Sequence, residues 1–501
     1  MKKNIYKKLA KRKRKIVKRT KRKNWEAQSK PMFKASNIHY EFDGRQKGIS
    51  YGGIGIMHLL AKKTGLIKEI DNNLELLKRH LPYHESDHVA NLAYNVLAAG
   101  TCLQDIELRR GDDAWLDALG AEIIPDPTTS GDFLRRFKQE DVIELMEIKN
   151  TIRKKIWQRQ SKSFREKAII NIDGTIAETY GECKSGMDIS YKGQWGYGPL
   201  VISLEKTREP LYLINRPGNA PSHLESSQWI DKSLDLACSS FKEVWMRGDT
   251  DFSLTKHFDK WDERSKFVFG IDAMPNLVSI ANGISEKKWE TLVRKPKYEV
   301  KTRNRKRPEN VKEQIVRERK FEKITTVSEQ VAEFEYKPGK CKKTYRVIVL
   351  RKEINVEKGE LLLFDDIRYF FYITNDRTMS PQEVVYFANA RCDHENDIEQ
   401  LKNGVGAMQM PSDGLVSNWA YMVIASLAWD LKAWYGLLSS NKQLGRQIIR
   451  MEFKRFINTF IMIPCLIIKT GRRICYRLVG YNDQIKESLL TFEKIKKFQF
   501  T

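Results

Sequence analysis

Cysteine is sparse and patternless across these 501 residues. The seven cysteines are Cys102, Cys183, Cys238, Cys341, Cys392, Cys465 and Cys475, and no two have C-x-x-C spacing. That excludes a disulfide framework and a cysteine-rich zinc module, and it predicts a reducing compartment. A secretory leader is lacking too, because no apolar core follows the basic N-terminus. An uninterrupted membrane span is also missing. Trp419 to Leu438 is long and apolar but carries Asp430 and Lys432, so it reads as a buried core helix; Phe460 to Ile468 is too short to span. No acid precedes Glu26, and no internal repeat is found.

Positive charge is plentiful. Lys and Arg number 89 against 64 acids, a net charge of +25, which favours a polyanion partner with nucleic acid as the default. The length allows two to four domains. Residues 1–30 read as a disordered basic arm that repels itself until it meets phosphates. Residues 31–160 read as a helical DNA-binding region, with apolar residues at three-and-four spacing in Ile54 to Leu66, Asn72 to Arg79, Asp87 to Ala99 and Ser130 to Lys138. Inside it, Pro125 to Phe137 is a turn and then a helix presenting Arg135 and Arg136. That suits a helix-turn-helix reader, and ordinary bundles contain the same pattern.

Two short strings there are set aside. His84-Glu85-Ser86-Asp87-His88 matches the zinc-protease pattern, but Ser86-Asp87 resemble a helix cap, which places His84 ahead of the helix. Gly52-Gly53-x-Gly55 lacks the strand-turn-helix setting of a nucleotide loop.

Residues 161–281 predict an α/β unit. Lys167 to Asp173 is a continuous apolar run ending in an acid, as a buried strand delivers a carboxylate to a sheet edge. Strands over Pro199 to Leu204 and Pro210 to Asn215 follow, then a helix over Glu225 to Cys238. Glu243 to Asp249 repeats the strand-then-acid device, and Lys266 to Ile271 adds a further strand. Residues 282–375 read as a small antiparallel β insertion. Its strands are Val331 to Tyr336, Thr344 to Leu350 and Tyr369 to Thr374, preceded by a Lys301 to Arg307 basic cluster suited to a DNA backbone or simply to solvent. Residues 376–410 return to the α/β unit, and residues 411–501 are largely helical with a late strand at Ile474 to Leu478.

One helix, Tyr386 to Gly404, organises the rest. At about 100° per residue it puts Arg391, Glu395 and Lys402 on one stripe, with Gly404 ending it through a left-handed turn. An exposed helix laced with charge pairs would look the same. Asp173, Asp249 and Glu395 form an acid constellation whose mutual repulsion calls for divalent metal. Hard oxygen ligands favour magnesium or manganese, and two such ions suit in-line phosphoryl displacement. Asp251 reads as the cap of the next helix, and Glu399 as the partner of a cation.

At these residues the sequence resembles the DDE transposases of bacterial insertion sequences, specifically the insertion-sequence-thirteen-eighty family of the insertion-sequence-four type. The resemblance runs from about residue 35 onward. It is carried by NIDGT (171–175), GMDISYKGQWGYGPLVISL (186–204), RGDTDFSLT (247–255) and KCKKTYRVIV (340–349), among other stretches. It implies an RNase-H-like catalytic core, α/β, interrupted by the β insertion. It implies Asp173, Asp249 and Glu395 as catalytic metal ligands for two Mg²⁺ ions, with Mn²⁺ substituting. Arg391 and Lys402 match the family's Tyr-x2-Arg-x3-Glu-x6-Lys helix, whose tyrosine position is Ala388 here; Tyr386 lies on another face. Related enzymes hold a flipped base with a tryptophan where Trp289 stands, although a core tryptophan is the plainer role.

The implied activity is cut-and-paste transposition. The enzyme would act on double-stranded DNA, both terminal inverted repeats and target, as a homodimer in the bacterial cytoplasm at the nucleoid, with no membrane partner. A non-catalytic DNA-binding protein, or a metal-dependent nuclease of the same fold, would share much of this pattern.

Overall fold

The computed structural model describes residues 2–21, 26–27, 29–33, 35–41, 43–294, 310–358 and 361–497. Its backbone is a nine-stranded mixed sheet. In spatial order the strands are Glu290–Thr291, Glu322–Tyr336, Tyr345–Lys358, Leu361–Thr374, Lys266–Ile271, Glu243–Gly248, Lys167–Gly174, Leu200–Leu204 and Glu209–Ile214. Lys167–Gly174 runs parallel to Glu243–Gly248, which runs parallel to Lys266–Ile271; the other pairings are antiparallel. Parallel neighbours need a crossover, and helix Ser226–Cys238 lies in the connection between the first two. Leu200–Leu204 and Glu209–Ile214 are buried along their whole length, as strands covered on both faces must be.

The β insertion is not a separate body. Leu361–Thr374 pairs with Lys266–Ile271, so the inserted strands extend the main sheet. They are also longer than their apolar alternation indicates: 15, 14 and 14 residues. The middle strand is buried without a break from Tyr345 to Arg351, and only beyond it does burial alternate, at Ile354 and Val356. The first strand's outer half, Glu322 to Thr326, is largely exposed and held by backbone pairing to Ile354 to Lys358. The Lys301 to Arg307 cluster lies outside the described residues.

Helix Leu415–Leu437 is the axis of the helical layer, buried from Ser417 to Gly436. It packs on Glu85–Leu97, on Gln139–Gln158 and on the Glu209–Ile214 strand. Its Asp430 meets a buried charge network rather than lipid. Arg153 lies 2.8 Å from Asp430 and 2.9 Å from Glu209, Lys149 lies 3.0 Å from Asp430, and Trp157 and Trp434 donate to Glu209. No helix among the described residues is long and apolar enough to cross a membrane.

Two local expectations are corrected, and one strand is added. Lys2–Thr20, in the arm expected to be disordered, is a helix. Asn72 to Arg79 is not a helix: Leu66–Asn73 ends at Leu74, whose extended backbone leads into a connection fixed by Glu85. A strand at Cys465–Thr470 also escaped the sequence reading. It pairs with Lys47–Ile49 and Arg473–Leu478, tying the two ends of the chain together. The Gly52-Gly53 pair belongs to that junction. Gly53 donates to Ile461 O at 3.0 Å, and a β-carbon on it would lie 1.9 Å from Phe460 O.

Candidate active site

The two parallel acid strands carry the site. Asn171 pairs with Arg247, so two residues further on Asp173 and Asp249 leave the sheet side by side on one face. Arg247 fixes that register. Its Nε donates to Asn171 Oδ1 at 2.6 Å, and its Nη1 donates to Phe387 O at 3.1 Å, linking both strands to helix Pro381–Asn389. Neither Asn171 nor Arg247 stood out in the sequence, although each sits two residues before an acid, where a strand presents the same face. Asp249 also caps the turn Thr250–Phe252, accepting from Asp251 N at 3.2 Å. The capping acid is therefore Asp249 itself rather than Asp251.

The helix expected over Tyr386 to Gly404 is broken. Pro381–Asn389 stops, Arg391 sits at the break, Cys392–Glu399 resumes, and Gln400–Gly404 widens into a π-type turn. The single stripe expected for Arg391, Glu395 and Lys402 does not carry across these irregularities. The left-handed glycine lies at Gly406 rather than Gly404. What orients Cys392–Glu399 is its inner face: His394, Asp397, Ile398 and Leu401 are buried at three-and-four spacing. His394 Nδ1 meets Ser203 Oγ at 2.9 Å, and Arg208 lies 3.4 Å from Asp397. With that face pinned, Glu395 is exposed on the other.

Arg391 Nη1 lies 3.1 Å from Asp173 Oδ2 and 3.1 Å from Asp249 Oδ2. One guanidinium nitrogen therefore bridges the two acids. Burial pushes the Asp173 carboxyl up to about 7, against the pull of Arg391; the charges of Asp249 and Glu395 add to the rise. Burial also raises Asp249, again opposed by Arg391. Two half-desolvated carboxylates sharing one cation form a hard oxygen donor set in need of positive charge. That fits magnesium or manganese better than zinc.

The remaining candidates fall elsewhere. Lys402 donates to Ile176 O at 2.7 Å and lines a polar cleft of about 600 Å³ with Thr101, Glu178 and Gln409. Trp289 is 9% exposed, with the Arg351 guanidinium 4.2 Å from its ring centre and Tyr369 on its flank, so it packs as a core tryptophan. Arg135 pairs with Asp132 and Asp413, each at 3.0 Å, and Arg136 reaches Leu76 O at 3.5 Å. The transposase DDE domain model, group 1, matches residues 30–499.

The chain belongs to the DDE transposase family.

The family is one of DNA transposases that transfer phosphoryl groups, generally with divalent metals. This DDE transposase is also similar to a solved piggyBac transposase synaptic complex with hairpin DNA. The identity is 12%, the TM-score 0.37, and the coverage 82% of this chain and 81% of that one, too distant a likeness to assign any residue a role. No curated protein matches the sequence.

Proposed function

We propose that this DDE transposase is a cut-and-paste enzyme of the insertion-sequence-thirteen-eighty type with an RNase-H-like core. It binds the terminal inverted repeats of its own element as double-stranded DNA, cleaves them and joins the ends to target DNA as a homodimer. The observation that carries this reading is the shared guanidinium, which brings Asp173 and Asp249 to one point beside the Glu395 helix. Asp173, Asp249 and Glu395 are the residues that would hold Mg²⁺. When bound, two such ions activate the attacking oxygen and steady the leaving one.

The chain's own contribution is placement. Asn171 and Arg247 hold the two acid strands in register, and His394 with Ser203 holds the glutamate helix against the sheet. Arg391, once released from the aspartates, is placed to take a phosphate oxygen. Lys402, on the wall of the adjoining cleft, has the charge to meet the DNA backbone.

Asp249→Asn and Glu395→Gln proteins test the reading. Each is expected to bind a duplex carrying the flanking repeats as the wild type does, and to lose Mg²⁺-dependent nicking by roughly a hundredfold or more. Normal nicking by either variant would remove that residue from the chemistry. Nicking without strand joining in the wild type would make the protein a nuclease.

A further inference from the structure

The string His84 to His88 folds differently from the zinc-protease motif it imitates. His84 precedes helix Glu85–Leu97, and its backbone N–H donates to Asp87 Oδ2 at 2.9 Å in a capping box. His88 faces away, stacked on Phe133 with ring centres 4.3 Å apart. In its place the connection before the helix brings in His80. Its Nε2 lies 3.0 Å from Glu85 Oε2, and its ring stacks on His84 with centres 4.2 Å apart. One ligand atom from each of His80, His84 and Glu85 lies within 4.8 Å of the other two. No other such group of three occurs among the described residues.

We propose that His80, His84 and Glu85 form a second divalent-metal site, of zinc type, on elements that carry none of the acids of the active centre. The donor set is two imidazoles and one carboxylate, which suits zinc and is poor for magnesium. Glu85 is prepared for the task. It is 2% exposed, and its Oε1 accepts from Leu76 N at 3.1 Å and Leu77 N at 2.9 Å, leaving Oε2 aimed at the histidines. Anchoring of a ligand carboxylate by backbone N–H groups is a common support for bound metal. Both histidines are exposed, so the outer side is open for a water as fourth ligand.

Tetrahedral ligation brings donor atoms to about 3.3 Å from one another, given zinc–nitrogen distances near 2.0–2.1 Å. The His80–Glu85 pair already meets that separation, and rotation of the exposed His84 ring closes the remainder. Bound metal would tie the Leu74 to His84 connection to the first turn of Glu85–Leu97. Arg136 reaches the same connection at Leu76 O. The ion would therefore stiffen the helical region between the basic arm and the sheet.

The test is a Co²⁺ titration of the full-length protein, with zinc content measured after dialysis against Zn²⁺. The wild type is expected to show the visible absorption of tetrahedral Co²⁺ and to retain one equivalent of zinc. That equivalent and that spectrum should persist in Asp173→Asn/Asp249→Asn protein and disappear in His80→Ala/His84→Ala protein. His84→Ala alone removes only an exposed ring and keeps the backbone anchors of Glu85, so it guards against loss by misfolding; it should weaken retention at least tenfold. A wild type without the spectrum overturns the proposal with no variant needed. So does zinc that survives in the histidine variants or departs with the aspartates.

Discussion

Arg391 Nη1 stands 3.1 Å from Asp173 Oδ2, and its other carboxylate partner is Asp249 at the same distance. On the proposed function, the guanidinium stands where a divalent ion would supply positive charge to the same carboxylates. If those carboxylates hold the ion, metal and arginine would compete for the same oxygens.

Removing the competitor has a measurable consequence. Arg391→Ala protein, free of DNA, is expected to bind Mn²⁺ roughly tenfold more tightly, since charge-assisted hydrogen bonds contribute about 1.5–3 kcal/mol. Arg391 also opposes the rise of the Asp173 carboxyl to about 7, so its removal raises that group further; the titration is therefore run at several pH values in buffers of different ionisation enthalpy, to separate proton release from the gain in metal affinity. DNA cleavage should fall in the same protein, through loss of a phosphate contact. Unchanged or weaker Mn²⁺ binding, read by calorimetry, would mean that the guanidinium does not contest the metal position.

The buried network around Arg153 predicts a stability effect far from the chemistry. Arg153→Leu leaves Glu209 without its cationic partner and Asp430 with Lys149 alone. Stranding buried carboxylates costs about 3–5 kcal/mol. Urea denaturation is expected to show a loss of that size, whereas a loss below about 1 kcal/mol would show that the network relaxes around the gap.

His58 predicts part of the acid sensitivity. Burial lowers its pKa from 6.5 to about 4, helped by the charge of Lys62, and its Nδ1 meets Tyr94 Oη at 3.1 Å. Between those values the unfolded chain takes up a proton that the folded protein refuses. The contribution of neutral His58 is therefore full above pH 6.5 and is lost as pH falls toward 4, by up to about 3 kcal/mol. His58→Gln protein should show a shallower fall in melting temperature across that window. An identical fall in both proteins would assign the sensitivity to other groups.

The acid strands were legible because each is a mainly apolar run, broken only by Asn171 in one and Arg247 in the other, and closed by a carboxylate; strands of that kind lie in a covered sheet. The helix at Leu415–Leu437 was legible for a related reason: its two charges argued against lipid, and Asp430 indeed faces Arg153 and Lys149. The break at Arg391 was not legible. Nothing in Ala388 to Cys392 forbids helix, and ideal helical geometry placed Arg391 on a stripe facing phosphate. The outer half of Glu322–Tyr336 was missed because an exposed strand has no dry face to impose a period. The role of His80 is not legible in the sequence, because the connection that folds it onto Glu85 contains no regular element.

By itself the sequence determined the central strands of the α/β unit, which acids end two of them, and the family to which those motifs point, since apolar patterning and residue chemistry are local properties. Tertiary structure alone decided that the inserted strands continue the main sheet, that Lys47–Ile49 pairs with Cys465–Thr470, and that one arginine bridges Asp173 and Asp249. Those relations join residues tens to hundreds of positions apart. They are fixed by hydrogen-bond pairing and by the cost of leaving buried charge uncompensated, neither of which is written into any single stretch of chain.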